Sequence, residues 1–148
     1  MAPKDSIVTD ETEIRDLIDD WADAVRAKDV DRIMSQYSPD VLAFDAISQL
    51  QFQGADAYRK HWEACLSMCS GPSFFEVHDL DITARDGLGF CHALNRCGGT
   101  GEDGQEKVCW MRMTVCYRKV DGDWKVVHEH FSSPFDMQSG KALFELQP

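Results

Sequence analysis

No stretch of this chain approaches the roughly 20 consecutive apolar residues that a membrane-spanning helix needs. The start, Met1-Ala2-Pro3-Lys4-Asp5, has no apolar run behind it, so no signal peptide is expected. The expectation is a cytoplasmic protein whose cysteines stay reduced. None of Cys65, Cys69, Cys91, Cys97, Cys109 and Cys116 forms a C-x-x-C pair, which argues against a zinc or redox site of that type. Basic charge is scarce too: 15 Lys and Arg against 26 Asp and Glu give a net charge of -11. Nucleic acid and anionic membranes are therefore not expected partners. There is no P-loop and no G-x-G-x-x-G. Gly98, Gly99, Gly101 and Gly104 lie close together, but they join two strands and precede no helix, so they read as a hairpin loop. No motif implies a cofactor. No repeat, linker or low-complexity segment divides the chain, so one domain over residues 1–148 is expected, with its core at about 10–135.

What is present is enough for a packed core. Hydrophobic residues make up 43% of 148 positions and charged ones 28%, the balance of an ordinary globular domain that needs no disulfide or metal. Ile14, Leu17, Ile18, Trp21 and Val25 recur at helical spacing, and Asp10 with Glu13 reads as the cap and its reciprocal partner. Lys28 suits the last turn of this helix, where a cation meets the negative dipole end. Asp29 can cap a short second helix whose face carries Val30, Ile33, Met34 and Tyr37, ended by Ser38-Pro39. A strand from Val41 to Phe44 ends at Asp45. Gly54 opens a third helix with the stripe Tyr58, Trp62, Cys65, Leu66 and Cys69, closed by Gly71-Pro72.

The remainder reads as strands and turns. Phe74 to Ala84 is extended, with a change of phase near His78 to Leu80 that a bulge explains. Asp86-Gly87 and Asp121-Gly122 are two-residue hairpin turns. They separate strands at Leu88 to Cys97, Gln105 to Lys119 and Trp124 to Ser133. Helices first and a strand meander after them make an α+β layer arrangement. His61, Cys65 and Cys69 share one helix face as core packing or, less readily, metal ligands.

Four segments together resemble a known group: Ala27-Lys28-Asp29-Val30-Asp31, Tyr37-Ser38-Pro39-Asp40, Gln53-Gly54-Ala55-Asp56-Ala57, and the run from Asp121 through Trp124, Val126, Val127, His128, His130, Ser132 and Pro134. They are similar to the SnoaL-like, ketosteroid-isomerase-like branch of the nuclear transport factor 2 superfamily, over residues 10 to 135. The resemblance implies a cone-shaped, cystatin-like fold with three N-terminal helices packed on a curved antiparallel sheet. It also implies a pocket between them, and a homodimer or larger homo-oligomer through the outer sheet face. The group holds isomerases, hydrolases, dehydratases, polyketide cyclases and non-catalytic assembly domains, so the fold does not fix the function.

Carried over residue by residue, the isomerase base falls on Asp45. The isomerase tyrosine falls on Trp21, with one N–H donor, and its second acid falls near Val115, with none. Losing one oxyanion donor costs about 10²–10³ in rate, so steroid-type isomerisation is not expected. The carboxylate of the limonene epoxide hydrolase relative falls on Phe131. The two pocket arginines of the kinase II assembly domain fall on Val115 and Phe131, so neither chemistry carries over.

The resemblance places Met113, Val115, Tyr117, Val127, Glu129 and Phe131 towards the pocket, with Trp21, Tyr37, Phe44 and Trp62 closing it from the helices. Asp45 and Glu129 are then the candidate catalytic pair, because burial and mutual repulsion can separate two carboxyls into acid and base. The structural alternative makes Asp45 a turn or cap residue and Glu129 half of a salt bridge. His128 and His130, at i, i+2, share a strand face, with Arg112 if the register holds. That face is the outer one unless a bulge swings them inward as an alternative polar set. His-x-His lacks an evident third ligand, so no metal is expected. Two functions stand side by side. One is a cofactor-independent enzyme of isomerase, cyclase or hydrolase type, with Asp45 as base on an apolar or aromatic substrate. The other is a non-catalytic ligand-binding or assembly module.

Overall fold

Residues 9–68, 73–101 and 103–148 are described by a computed structural model. The first helix, α1 (Asp10–Arg26), turns Ile14, Ile18, Trp21 and Val25 into the core, as their spacing predicts. Its cap is Thr9 rather than Asp10: the Thr9 hydroxyl accepts from the Thr12 amide at 3.2 Å. Glu13 does not reach back either. It accepts from Trp124 Nε1 at 2.9 Å and pairs with Lys119 at 3.4 Å, tying the helix to the far end of the sheet.

The helix ends without glycine. Lys28 takes φ 55°, and the amides of Lys28 and Asp29 bond back to Val25 and Ala24. This is a Schellman stop with lysine where glycine is usual. Asp29 then caps α2 (Val30–Met34) through the Arg32 amide, as expected.

Tyr37 is not on that second helix. It is the first residue of β1 (Tyr37–Phe44), which runs through Pro39 at a position where no ladder donor is needed. A two-residue strand, β2 (Phe52–Gln53), precedes α3 (Ala55–Ser67). Gly54 enters the helix at φ 91°, a conformation that favours glycine. Cys69 and the stop at Gly71-Pro72 lie outside the described residues.

The long strands are β3 (Ser73–Arg85), β4 (Leu88–Thr100), β5 (Glu106–Val120) and β6 (Asp123–Ser132). With β1 and β2 they form one curved sheet in the order β2-β1-β6-β5-β4-β3. Every pairing is antiparallel except β1 with β6, which is parallel. Asp86-Gly87 and Asp121-Gly122 make two-residue turns with positive φ at both positions. The predicted irregularity in β3 falls between His78 and Asp81, around Asp79 at φ 55°.

A second bulge, in β6, was not foreseen in place. Cys116 pairs with His128 and Tyr117 with Val126, so Val127 is the extra residue. Val126, Glu129 and Phe131 therefore face the helices, and Val126 rather than Val127 takes the inward place, in the core. The helices pack on this inner face, over a core that includes Trp21, Val41, Phe75, Met113 and Phe131. Among the described residues no helix is long and apolar enough to cross a membrane.

Candidate functional site

Asp45 sits where β1 ends, and His61 faces it from the second turn of α3. His61 Nε2 lies 3.2 Å from Asp45 Oδ2, and both side chains are largely buried, 6% and 11% exposed. The other Asp45 oxygen accepts from the Ile47 amide at 3.2 Å. His61 is clamped between ring planes: Phe52 stacks at 4.2 Å and Tyr58 at 6.1 Å. Cys65, one helical turn on, places Sγ 3.6 Å from Nε2 and 3.9 Å from Nδ1.

This dyad opens onto a cavity of about 340 Å³, lined chiefly by apolar side chains including Val25, Trp62, Leu66, Phe75, Met111 and Phe131. The size suits a small organic molecule. A larger groove, about 590 Å³, runs along Phe44, Gln49, Leu50, His130 and Ser132, sharing Asp45, Phe131 and Phe144 with the cavity. Leu50 stands 91% exposed there, so the groove is surface relief. The apolar-lined cavity with the dyad is the better site.

Glu129 is elsewhere. It is 2% exposed and accepts from the Tyr37 hydroxyl at 2.8 and 3.0 Å and from the Tyr58 hydroxyl at 2.5 Å. Burial pushes its carboxyl up to about 7, opposed by the two tyrosine bonds and helped by the negative charge of Asp45. Burial, with the adjacent Glu129, raises both tyrosines well above their ordinary value. So Asp45 and Glu129 influence each other but share no hydrogen bond, and each has its own partner. The salt bridge considered for Glu129 is replaced by tyrosine hydroxyls.

The other expected residues divide into three groups. Trp62 and Phe131 line the cavity. Trp21, Tyr37, Met113, Val115 and Tyr117 face inward but are consumed by core packing: Trp21 stacks on Phe131 at 6.1 Å and meets Phe75 edge-on at 5.1 Å. Phe44 is turned to the outer face, edge-on to His128 at 4.8 Å and His130 at 5.6 Å. There His128 bonds the Leu42 carbonyl through Nδ1 at 2.6 Å, and Arg112 donates to Ser132 at 3.0 Å. The bulge at Val127 keeps this set outside instead of swinging it in, because it resets the phase before His128.

Two indole N–H groups, that of Trp62 on the cavity wall and that of Trp21 in the core, lack protein partners. Trp21 Nε1 and Trp62 Nε1 are buried with no hydrogen bond. No grouping of three or more metal-ligating side chains occurs among the described residues.

Helices folded over a curved six-stranded sheet around an apolar cavity define a cone-shaped protein of the NTF2-like, cystatin-like class. The chain belongs to the SnoaL-like domain family, whose profile matches residues 14–136. It is similar to an NTF2-like protein of unknown function from Pseudomonas putida KT2440, at 49% identity and a TM-score of 0.87, covering 93% of this chain and 96% of that one. A protein from Xanthomonas campestris, provisionally assigned as a calcium/calmodulin dependent protein kinase II association domain, shares the fold at 18% identity and a TM-score of 0.74, covering 99% and 95%. A provisionally assigned dehydratase of the NTF2-like family from Streptomyces avermitilis shares it at 12% identity and a TM-score of 0.72, covering 81% and 93%. No curated protein matches the chain.

Proposed function

We propose that this chain binds a small apolar or aromatic molecule in its 340 Å³ cavity and moves a proton on it without a cofactor, through Asp45 and His61. The observation that carries this is the 3.2 Å contact of Asp45 with His61 at the wall of an apolar chamber. Asp45 serves as base, and the His61 imidazole serves as its partner in place of the Glu129 expected from the sequence. The apolar lining lowers the local dielectric, which strengthens both groups' action on a bound molecule. Trp62 Nε1, a buried N–H with no protein partner on a cavity-lining residue, is available to a polar atom of the ligand. Glu129 is outside the cavity lining, and its part is to anchor Tyr37 and Tyr58.

The test is a screen of cyclic enones and aromatic polyketide fragments for ligand-induced thermal shifts, followed by deuterium exchange into any ligand found. Exchange in the wild type and its loss in Asp45→Asn, with binding kept, supports the reading. Equal exchange by both proteins overturns it.

An assembly role has its own observation. Leu88 and Phe90, on the outer face of β4, are 57% and 46% exposed. We propose that a second copy of the chain covers this face, since Leu88 and Phe90 are neighbours at i, i+2 on one strand face and adjoining exposed apolar side chains mark an interaction surface. Light scattering at micromolar concentration tests it; a monomer refutes it.

A further inference from the structure

Among the described residues, three line both the apolar chamber and the groove beside it: Asp45, Phe131 and Phe144. Two of them are fixed by the body of the fold. Asp45 ends β1 and is held by His61 and the Ile47 amide. Phe131 lies in β6, is buried and stacks on Trp21. Phe144 is different. It belongs to no helix or sheet strand, and it is half-buried.

The segment after β6 carries Phe144 to this place by a compact return. Phe135 pairs with Ala142 in an antiparallel bridge. The Leu143 amide donates to the Pro134 carbonyl, and the Asp136 amide to the Lys141 carbonyl, both at 2.8 Å. The Asp136 carboxylate holds the turn, accepting from the Gln138 and Ser139 amides and the Ser139 hydroxyl. The return is thus built from its own hydrogen bonds, with Phe135 and Met137 left exposed. It docks where β5 runs past the end of β6, whose pairing stops at Arg112 and Ser132. There the Phe144 carbonyl accepts from the Trp110 amide at 2.8 Å.

We propose that Phe144 is a specificity-determining residue: it partitions the chamber from the groove and limits the ligand to a compact molecule of one or two fused rings. The inference rests on the chamber being the ligand site, and adds the size class that the site accepts. The chamber, at about 340 Å³, is near the small end of ligand sites. The groove beside it is larger, about 590 Å³. A side chain standing between the two decides whether a ligand can extend beyond its rings. Asp45 is committed to the dyad and Phe131 to the core, which leaves Phe144 to set the limit. Such a wall discriminates well, since one methylene gained or lost in a hydrophobic pocket changes binding by about 10–200-fold.

The experiment measures Kd by equilibrium dialysis of the full chain against two neutral ketones, the two-ring tetralone and the four-ring progesterone. Progesterone has the larger apolar surface, so an open surface would favour it. The wild type should instead bind tetralone at least about 10-fold tighter. Phe144→Ala should weaken tetralone and strengthen progesterone until the preference is reversed, and Phe144→Leu should fall between. A wild type that binds both ketones equally, or progesterone more tightly, overturns the proposal without recourse to any variant. So does an unchanged preference in a Phe144→Ala protein whose far-ultraviolet circular dichroism matches the wild type. In both of those cases tetralone is still bound, so the chamber stands as the ligand site and the size role alone is rejected. A wild type that binds neither ketone overturns this proposal and the binding reading together.

Discussion

The Tyr58 hydroxyl donates to Glu129 Oε2 at 2.5 Å, joining α3 to the last strand through a carboxyl that is 2% exposed. The Tyr37 hydroxyl, from the start of β1, reaches both oxygens of the same group. Three elements distant in sequence thus meet at one buried acid, and its protonation state becomes a property of the fold.

Stability should therefore fall with pH across a defined window. Glu129 is held at about 7 against an ordinary 4.5. Between those values the folded chain keeps a proton that the unfolded chain has released. The stabilisation is complete below the unfolded value and lost as pH rises through the folded one, amounting to about 3 kcal/mol. Urea midpoints measured from about pH 5 to 8 should decline, and Glu129→Gln should flatten the decline. An unaltered slope in the variant would assign the effect elsewhere.

Tyr58→Phe should be destabilising in a pH-dependent way. Removing one donor from a buried ionised carboxyl costs about 1–3 kcal/mol. The loss should be largest above pH 7, where Glu129 is charged, and small near about pH 5, where the carboxyl is protonated. Denaturant titrations of both proteins at the two pH values check this. A uniform loss would mean that the hydroxyl matters through packing alone.

Asp45→Asn should lower proton exchange into a bound ligand by about 10²–10⁴. The Ile47 amide still finds a carbonyl-type oxygen in asparagine, so the turn survives. Unfolding free energy should change by no more than about 1 kcal/mol. A large loss of stability with full exchange activity would restore the structural role for Asp45.

Gly98→Ala should be poorly tolerated. A Cβ there would stand 1.8 Å from the Lys107 carbonyl oxygen, which is backbone and cannot swing away. Strain of about 1–3 kcal/mol or more is expected, read as a lowered thermal midpoint. Gly98 borders the cavity, so ligand affinity should fall with it.

The sequence revealed most of what is written locally. Asp86-Gly87 and Asp121-Gly122 define their turns through φ > 0, and the hairpin registers follow from them. The phase change near Asp79 was visible as a break in alternation. Tyr37 was misplaced because it continues the helical spacing of Ile33 and Met34, while its strand state comes from pairing with β6, 89 residues away at Val126. The bulge at Val127 was hidden because Val126 and Val127 are chemically identical, so no pattern marks which is extra. His61 was recognised only as a neighbour of Cys65. Its partner Asp45 belongs to another element, and no local spacing encodes that contact.

The parallel seam between β1 and β6 gives the chain an unusual timetable. Val41 and Ala43 emerge early in synthesis, yet the strand that covers their flank is the last to be made. A ribosome-bound chain lacking residues 123–132 holds Asp45 and His61 with β1 paired only to the two residues of β2. Such long-range closure slows folding and leaves a strand edge open to other chains. The site should thus be born late: competence to bind a ligand should appear only once β6 has docked. Nascent chains stalled before it should be the species most prone to aggregate or to engage chaperones.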